Sequence, residues 1–234
     1  MSPPFVLVIG AGRMSEGSSP KRILIFDFDG LILDTETVEV EIWNNLYAEV
    51  GLTFDMDAYI GVVGSNGPRS FDPAQPLAER EGEKRSFTQI RQDFRKLAYQ
   101  YVEKIEPLPG VVELIRNAKL KGYLLAVGSS AASVWINTHL KRLGLLGEFD
   151  FVVTFDDVEN AKPAPDIFLK VLERAGVSAE NALVLEDSQN GILAAHRAGI
   201  RAIAVPNPIT KIQDFSLATA VIPSLVDFDP NLYF

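Results

Sequence analysis

Four short segments of this 234-residue chain each end an apolar run in a polar group: ILIFDFDG at 23–30, LLAVGSS at 124–130, ENAKPAPD at 159–166 and ALVLEDSQNG at 182–191. They supply carboxylates (Asp27, Asp29, Glu186, Asp187), hydroxyls (Ser129, Ser130) and one ammonium (Lys162). That is the set needed to hold a divalent cation and to transfer a phosphoryl group. Carboxylates gathered in one small volume repel: two unit charges about 4 Å apart interact by roughly 4 kcal/mol at an effective dielectric of about 20. Such a cluster must be protonated or neutralised. A hard, oxygen-seeking cation neutralises it, and Mg2+ suits because it keeps waters and takes one or two carboxylates plus a phosphate oxygen.

These residues are far apart in the chain, so regular elements must bring them together. From residue 108 onward a helical stretch alternates with a short aliphatic run. Gly122, Gly176 and Gly199 follow AKLK, LERA and HRA, where a helix would end in a left-handed residue. The pattern predicts strands near 22–27, 123–127, 150–154, 182–186 and 201–205, with a weaker one at 220–222, and helices near 110–120, 131–143, 165–175 and 189–198. Helix and strand in alternation mean an α/β fold, a Rossmann-like doubly wound parallel sheet. Ligands of such sheets lie beyond the carboxyl ends of the strands. Asp27, Ser129 and Asp187 fall at or just past such ends, and Lys162 lies in the loop after the strand of the 150s.

Residues 35–107 break the rhythm. They offer a helix from Thr35 to Gly51, a turn-rich stretch around GVVGSNGPRSFDPAQP, and a long polar helix from about Ser86 to Ile105 closed by PLPG. The expected organisation is a leader over 1–20, an α/β core formed by 21–34 and 108–234, and an all-helical cap over 35–107, whose natural use is as a lid.

A net charge of -9 argues against nucleic acid or an anionic membrane as the partner, since both need a basic field. The absence of cysteine excludes disulfides, thiolate metal sites and a cysteine nucleophile, and fits a reducing cytoplasm. The apolar run FVLVI at 5–9 is far short of the roughly 18 residues of a membrane span. Its continuation, VLVIGAGRMSEG, superficially matches the opening of a dinucleotide-binding unit. Ser15 stands in place of the third glycine, however, and the next strand begins near Arg22, leaving no room for the required helix. The segment reads as a loosely ordered leader, and the terminal NLYF carries no functional weight.

Taken in order, DFDGLILDTE, a strand-terminal serine, KPAPD and LEDSQNG resemble the haloacid dehalogenase superfamily over about residues 21–222. The resemblance is to the branch with a helical cap after the first motif, which includes β-phosphoglucomutase and many sugar-phosphate phosphatases. It implies that Asp27 is the nucleophile and that Asp29 is the general acid and base. It assigns Ser129, Ser130 and Lys162 to the phosphate oxygens. The Asp27 carboxylate, the Asp29 backbone carbonyl and Asp187 would hold Mg2+, with Glu186 acting directly or through water. The second Asp favours phosphate-ester chemistry over dehalogenation, because an alkoxide leaving group needs a proton donor.

The implied reaction is hydrolysis of a small phosphorylated metabolite. Glu36, Glu39, Trp43, Asn66 and Arg69 are the candidate cap contacts. A mutase is the first alternative; the mutases carry a histidine and an arginine in the cap where this chain has Glu39 and the SNG of 65–67. Phosphonate cleavage would need a cap lysine, and none lies between Asp27 and Lys84. A catalytically idle binding protein on the same fold is a further alternative. Asp187 is expected to cap the helix at 189–198 as well as to bind metal. Trp135, His139 and His196 read as packing residues. The letters leave the oligomeric state open.

Overall fold

In the computed structural model, which describes residues 20–64, 71–226 and 228–234, the short aliphatic runs become strands of a single sheet. These are β1 (Ile23–Phe26), β2 (Leu124–Gly128), β3 (Phe151–Val153), β4 (Ala182–Glu186), β5 (Arg201–Ala204) and β6 (Ala220–Val221). All pairings are parallel, in the order β3-β2-β1-β4-β5-β6. β1 is central: Ile23 lies opposite Leu124 and Ala182, and Phe26 opposite Val127 and Leu185.

Successive strand side chains point to opposite faces. Leu24 and Phe26, with Leu183 and Leu185, therefore enter one apolar cluster, while Ile23 and Ile25, with Ala182 and Val184, enter the other. Burial on both faces explains why these strands read as unbroken aliphatic runs instead of alternating ones. Helices α5 (Val111–Leu120) and α6 (Ser133–Arg142) contribute to the first cluster, and α7 (Asp166–Ala175) and α8 (Gln189–Arg197) to the second. The sheet is thus doubly wound. Its order reverses between β1 and β4, which opens a crevice beyond their carboxyl ends.

Four helices lie between β1 and α5: α1 (Thr35–Glu49), α2 (Met56–Ile60), α3 (Ala74–Glu81) and α4 (Phe87–Val102). The Asp34 carboxylate caps α1 by accepting from Thr37 N at 3.2 Å. A reciprocal box caps α4, with Gln89 N donating to Ser86 Oγ at 3.3 Å and Ser86 N to Gln89 Oε1 at 2.8 Å. Trp43 of α1 stacks on Phe94 of α4, with centroids 4.1 Å apart. Neither α2, just before the stretch expected to be turn-rich, nor α3, which begins at its end, is among the expected helices. Five-residue α2 is too short to show a periodicity. In α3 the prolines at 73 and 76 signal a turn, yet proline is tolerated in a first helical turn, where the missing N–H has no partner.

The insertion is fastened to the core at its exit. Leu108 N donates to Ile32 O at 2.9 Å, so the two connecting strands of chain touch. Arg142 Nη2 of α6 donates to the carbonyls of Val102 and Ile105 at 3.1 and 2.9 Å. Among the described residues no helix is long and apolar enough to cross a membrane.

Candidate active site

At the end of β1 the Asp27 amide donates to Leu185 O at 2.9 Å, so β1 stays paired to β4 up to the residue that carries the carboxylate. The chain then turns tightly, with Gly30 N donating to Leu33 O at 2.7 Å. Gly30 has φ +83°, and a Cβ there would collide with the carboxylates of Asp187 and Glu36. Gly191, at the start of α8, meets the Glu186 carboxylate in the same way. Both positions need glycine because acidic groups approach the backbone closely.

Lys162 is buried, although it comes from a loop. Its Nζ donates to Asp27 Oδ1 and, at 2.6 Å, to Glu186 Oε1. The other Glu186 oxygen accepts from the amide and hydroxyl of Ser188 at 2.8 and 2.9 Å. Ser188 Oγ in turn accepts from Gly191 N at 3.1 Å. This corrects the expectation for Asp187: Ser188, its neighbour, is the residue that caps α8.

Asp27, Glu186 and Asp187 each offer an oxygen within 4.8 Å of the others. With Lys162 the formal sum is three negative charges and one positive, leaving two uncompensated in a buried volume. Burial raises the pKa of Asp187, and the neighbouring Glu186 and Asp27 raise it further. Burial alone would lower the Lys162 pKa, but Asp27 and Glu186 outweigh it and hold the ammonium above its ordinary value. A set of hard oxygen donors with a residual charge of two fits a divalent cation such as Mg2+.

Asp29 is arranged differently. Its Oδ1 accepts from Trp135 Nε1 at 2.9 Å, and the nearby Thr35 side chain also favours the ionised carboxyl. Burial outweighs both influences and raises its pKa. A carboxyl that retains its proton more readily suits proton donation. The reading of Trp135 as packing alone is therefore incomplete. No sequence pattern announces the contact, since 106 positions separate the two residues.

Asn207 is a second residue that sequence reasoning missed. Its Nδ2 donates to Asp187 Oδ2 at 2.8 Å and to Glu36 Oε2 at 3.3 Å, linking the end of β4 to the first turn of α1. Its Oδ1 is engaged by the amides of Ile209 and Thr210 at 2.9 and 3.0 Å. The available signal was its place just beyond β5, at a carboxyl end like the others.

The remaining candidates fall in three groups. Asp27, Asp29, Ser129 and Ser130 line a cavity of about 170 Å³ together with Glu36, Glu39 and Tyr59 of the insertion. There the Tyr59 hydroxyl donates to Glu39 Oε2 at 2.7 Å. Ser129 Oγ accepts from Ala131 N at 3.1 Å, and Ser130 Oγ donates to Gly64 O at 3.4 Å. Burial, then Asp187 and Asp29, raise the pKa of Glu36. Trp43, by contrast, is buried against Phe94, where it packs the insertion, and is not among the residues lining this cavity. Asn66 and Arg69 lie outside the described residues.

The profile of the family described as haloacid dehalogenase-like hydrolase matches residues 24–205. The chain belongs to this family. This haloacid dehalogenase-like hydrolase is 38% identical over 189 residues to YhcW of Bacillus subtilis (strain 168), covering 81% of this chain and 85% of that one. It is 34% identical over 183 residues to the fructose-1-phosphate phosphatase YqaB of Escherichia coli (strain K12), covering 78% and 95%. Among solved structures, CbbY of Rhodobacter sphaeroides in complex with xylulose-(1,5)bisphosphate superposes with a TM-score of 0.70 at 25% identity, covering 88% and 96%. β-Phosphoglucomutase of Clostridium difficile gives 0.69 at 24% over 91% and 95%, a likeness of fold alone. Family and relatives together make this hydrolase a phosphatase, an enzyme of phosphoric monoesters.

Proposed function

We propose that this phosphatase hydrolyses the monoester of a small sugar phosphate or similar metabolite in the cytoplasm, with Mg2+ and through a covalent phospho-aspartate at Asp27. The observation that carries the reading is the buried Lys162 held between Asp27 and Glu186 beside Asp187, three carboxyl groups against one ammonium. Mg2+, held by the Asp27 and Asp187 carboxylates and the Asp29 carbonyl with Glu186 in support, would supply charge neutralisation and polarise the phosphoryl oxygens.

The chain's own groups divide the rest of the work. The Asp27 carboxylate attacks phosphorus while the ester P–O bond breaks, and the departing oxygen takes its proton from Asp29. Asp29 then removes a proton from water as that water attacks the phosphorylated Asp27, releasing phosphate. Two of the three N–H donors of Lys162 are engaged by Asp27 and Glu186, which leaves one for a phosphate oxygen. The Ser129 hydroxyl, on the cavity wall, serves a second oxygen.

In this reading 21–34 and 108–234 form the catalytic core, and 35–107 is its cap. Asn190 Nδ2 donates to Val63 O at 2.7 Å and Gln213 Nε2 to Ile60 O at 2.8 Å, gripping the cap over the strand ends. Such closure excludes bulk water and completes the binding site. The small cavity, the Glu39 and Tyr59 pair suited to hydroxyl groups, and the sugar phosphates named for YqaB and bound by CbbY favour a sugar phosphate.

Phosphate release from 4-nitrophenyl phosphate and from a panel of sugar phosphates tests the proposal. Release should require Mg2+ and fall by about 10³-fold or more in Asp27→Asn. Acid quenching should leave a phosphorylated peptide containing Asp27. Wild-type turnover by Asp27→Asn would refute the covalent route, and an isomerised sugar phosphate in place of free phosphate would mark a mutase.

A further inference from the structure

We infer that Trp135 is a positioning residue for Asp29, holding the proton-transferring carboxyl in place and tying it to the cap; this deepens the phosphatase reading and rests on it. The indole N–H donates to Asp29 Oδ1 at 2.9 Å. An indole nitrogen is a donor with no acceptor function, so it fixes one carboxyl oxygen without competing for the proton. Thr35, at the start of α1, lines the same cavity beside Asp29. Asp29 thus takes this hydrogen bond from the core helix α6.

The indole is itself held on two sides. Its ring meets His139, one helical turn further along α6, edge-on with centroids 4.3 Å apart. It meets Tyr99 of α4 in the same manner at 4.8 Å. His139 is buried and stacks on Phe28, the residue between Asp27 and Asp29, at 6.5 Å. Aromatic contacts therefore run from the catalytic loop through His139 and Trp135 to the cap helix α4. A general acid displaced by about 1 Å can lose on the order of 10²-fold in rate. Trp135 makes the place of Asp29 depend on α4 being seated.

A residue that acts through the general acid shows itself in leaving-group dependence. 2,4-Dinitrophenyl phosphate expels a stable phenoxide that needs no proton, whereas phenyl phosphate expels one that does. Trp135→Phe keeps an aromatic ring and removes only the donor. Its kcat/KM, which reports the first half-reaction, should fall about tenfold on phenyl phosphate and less than about twofold on 2,4-dinitrophenyl phosphate. Tyr99→Leu should show a weaker form of the same split. A loss equal on both esters, or no loss, overturns the inference while leaving the phosphatase reading intact.

A second measurement is independent of turnover. The chain has two tryptophans, so a ¹H–¹⁵N spectrum holds two indole N–H signals, assignable with Trp43→Phe. Asp29→Ala should move the Trp135 signal and leave that of Trp43 in place. A Trp135 signal that does not move overturns the contact itself. Hydrolysis of neither ester by the wild type with Mg2+ defeats the phosphatase reading, and the catalytic part of this inference with it.

Discussion

The core and the helical insertion each hold a cation between two carboxylates, and the two arrangements differ chiefly in burial. In the core, Lys162 lies between Asp27 and Glu186, with the lysine side chain 1% exposed. In the insertion, Arg85 binds Glu81 at 2.6 Å and Asp93 at 3.1 Å, with its side chain 21% exposed and that of Asp93 49%. The Arg85 group fastens the end of α3 to α4 in contact with water, where such pairs contribute at most about 1 kcal/mol. The Lys162 group forgoes hydration, which costs several kcal/mol per ion, and it has Asp187 as a further uncompensated neighbour. A fold seeking only stability would not gather these charges. The insertion uses charge to join helices, whereas the core keeps an acidic cluster that could hold a metal ion.

Removing each cation tests this contrast most severely. Lys162→Met leaves buried carboxylates without their ammonium and should destabilise the protein by about 3–5 kcal/mol at pH 7. Arg85→Met should cost less than about 1 kcal/mol. Urea unfolding of both variants reads the difference. The Lys162→Met deficit should also shrink as pH falls. Burial already raises the pKa values of Asp27 and Asp187, so the folded state takes up protons before the unfolded chain does. Equal losses for the two variants would mean that the core cluster is hydrated like the surface one.

The two regions also differ in how far their sequences disclosed them. Strands β1, β2 and β4 could be read because burial on both faces writes an unbroken aliphatic run, and a polar residue ending such a run stands out. Helices α2 and α3 could not, since one is a single turn and the other opens among prolines. Near the site, what escaped was whatever depended on partners distant in the chain. Asn207 sits in a Pro-Asn-Pro turn whose local chemistry already accounts for an asparagine, and only the fold brings Asp187 and Glu36 to its amide. Trp135 has the spacing of a packing residue and is one; its N–H bond to Asp29 is an additional fact of geometry. Asp187 and Ser188 are adjacent and both competent to cap, and the choice between them is made by the pull of Glu186 on Ser188.

At the boundary between core and insertion, His139 offers a smaller test. It is buried, neither ring nitrogen has a hydrogen-bond partner among the described residues, and burial together with Arg142 pushes its pKa down to about 4. An unfolded histidine titrates near 6.5. Between those values the unfolded chain accepts a proton that the folded state refuses. The stability present above about pH 6.5 is therefore lost as pH falls toward about 4, by on the order of 3 kcal/mol. His139→Phe keeps a ring against Phe28, Tyr99 and Trp135 and removes the titration. It should be at least as stable as the wild type at pH 7.5 and gain on it at pH 5, as read from urea midpoints. Parallel pH profiles for the two proteins would show that His139 is hydrated in the folded state.

The smallest expected effect belongs to the insertion's side of the cavity. The Tyr59 hydroxyl donates to Glu39 at 2.7 Å, so α1 and α2 present one prearranged polar pair to whatever enters above Asp27. If the core performs the chemistry and the insertion selects the substrate, weakening this pair should change recognition more than turnover. Glu39→Gln retains the shape and removes the charge, and Tyr59→Phe removes the donor. Each should raise KM for the preferred sugar phosphate by about fivefold, the worth of one hydrogen bond of about 1 kcal/mol, and change kcat less. The effect on 4-nitrophenyl phosphate, which has no sugar hydroxyls, should be smaller. A fall in kcat with KM unchanged would move Glu39 from recognition to the reaction and erase the division of labour between the two regions.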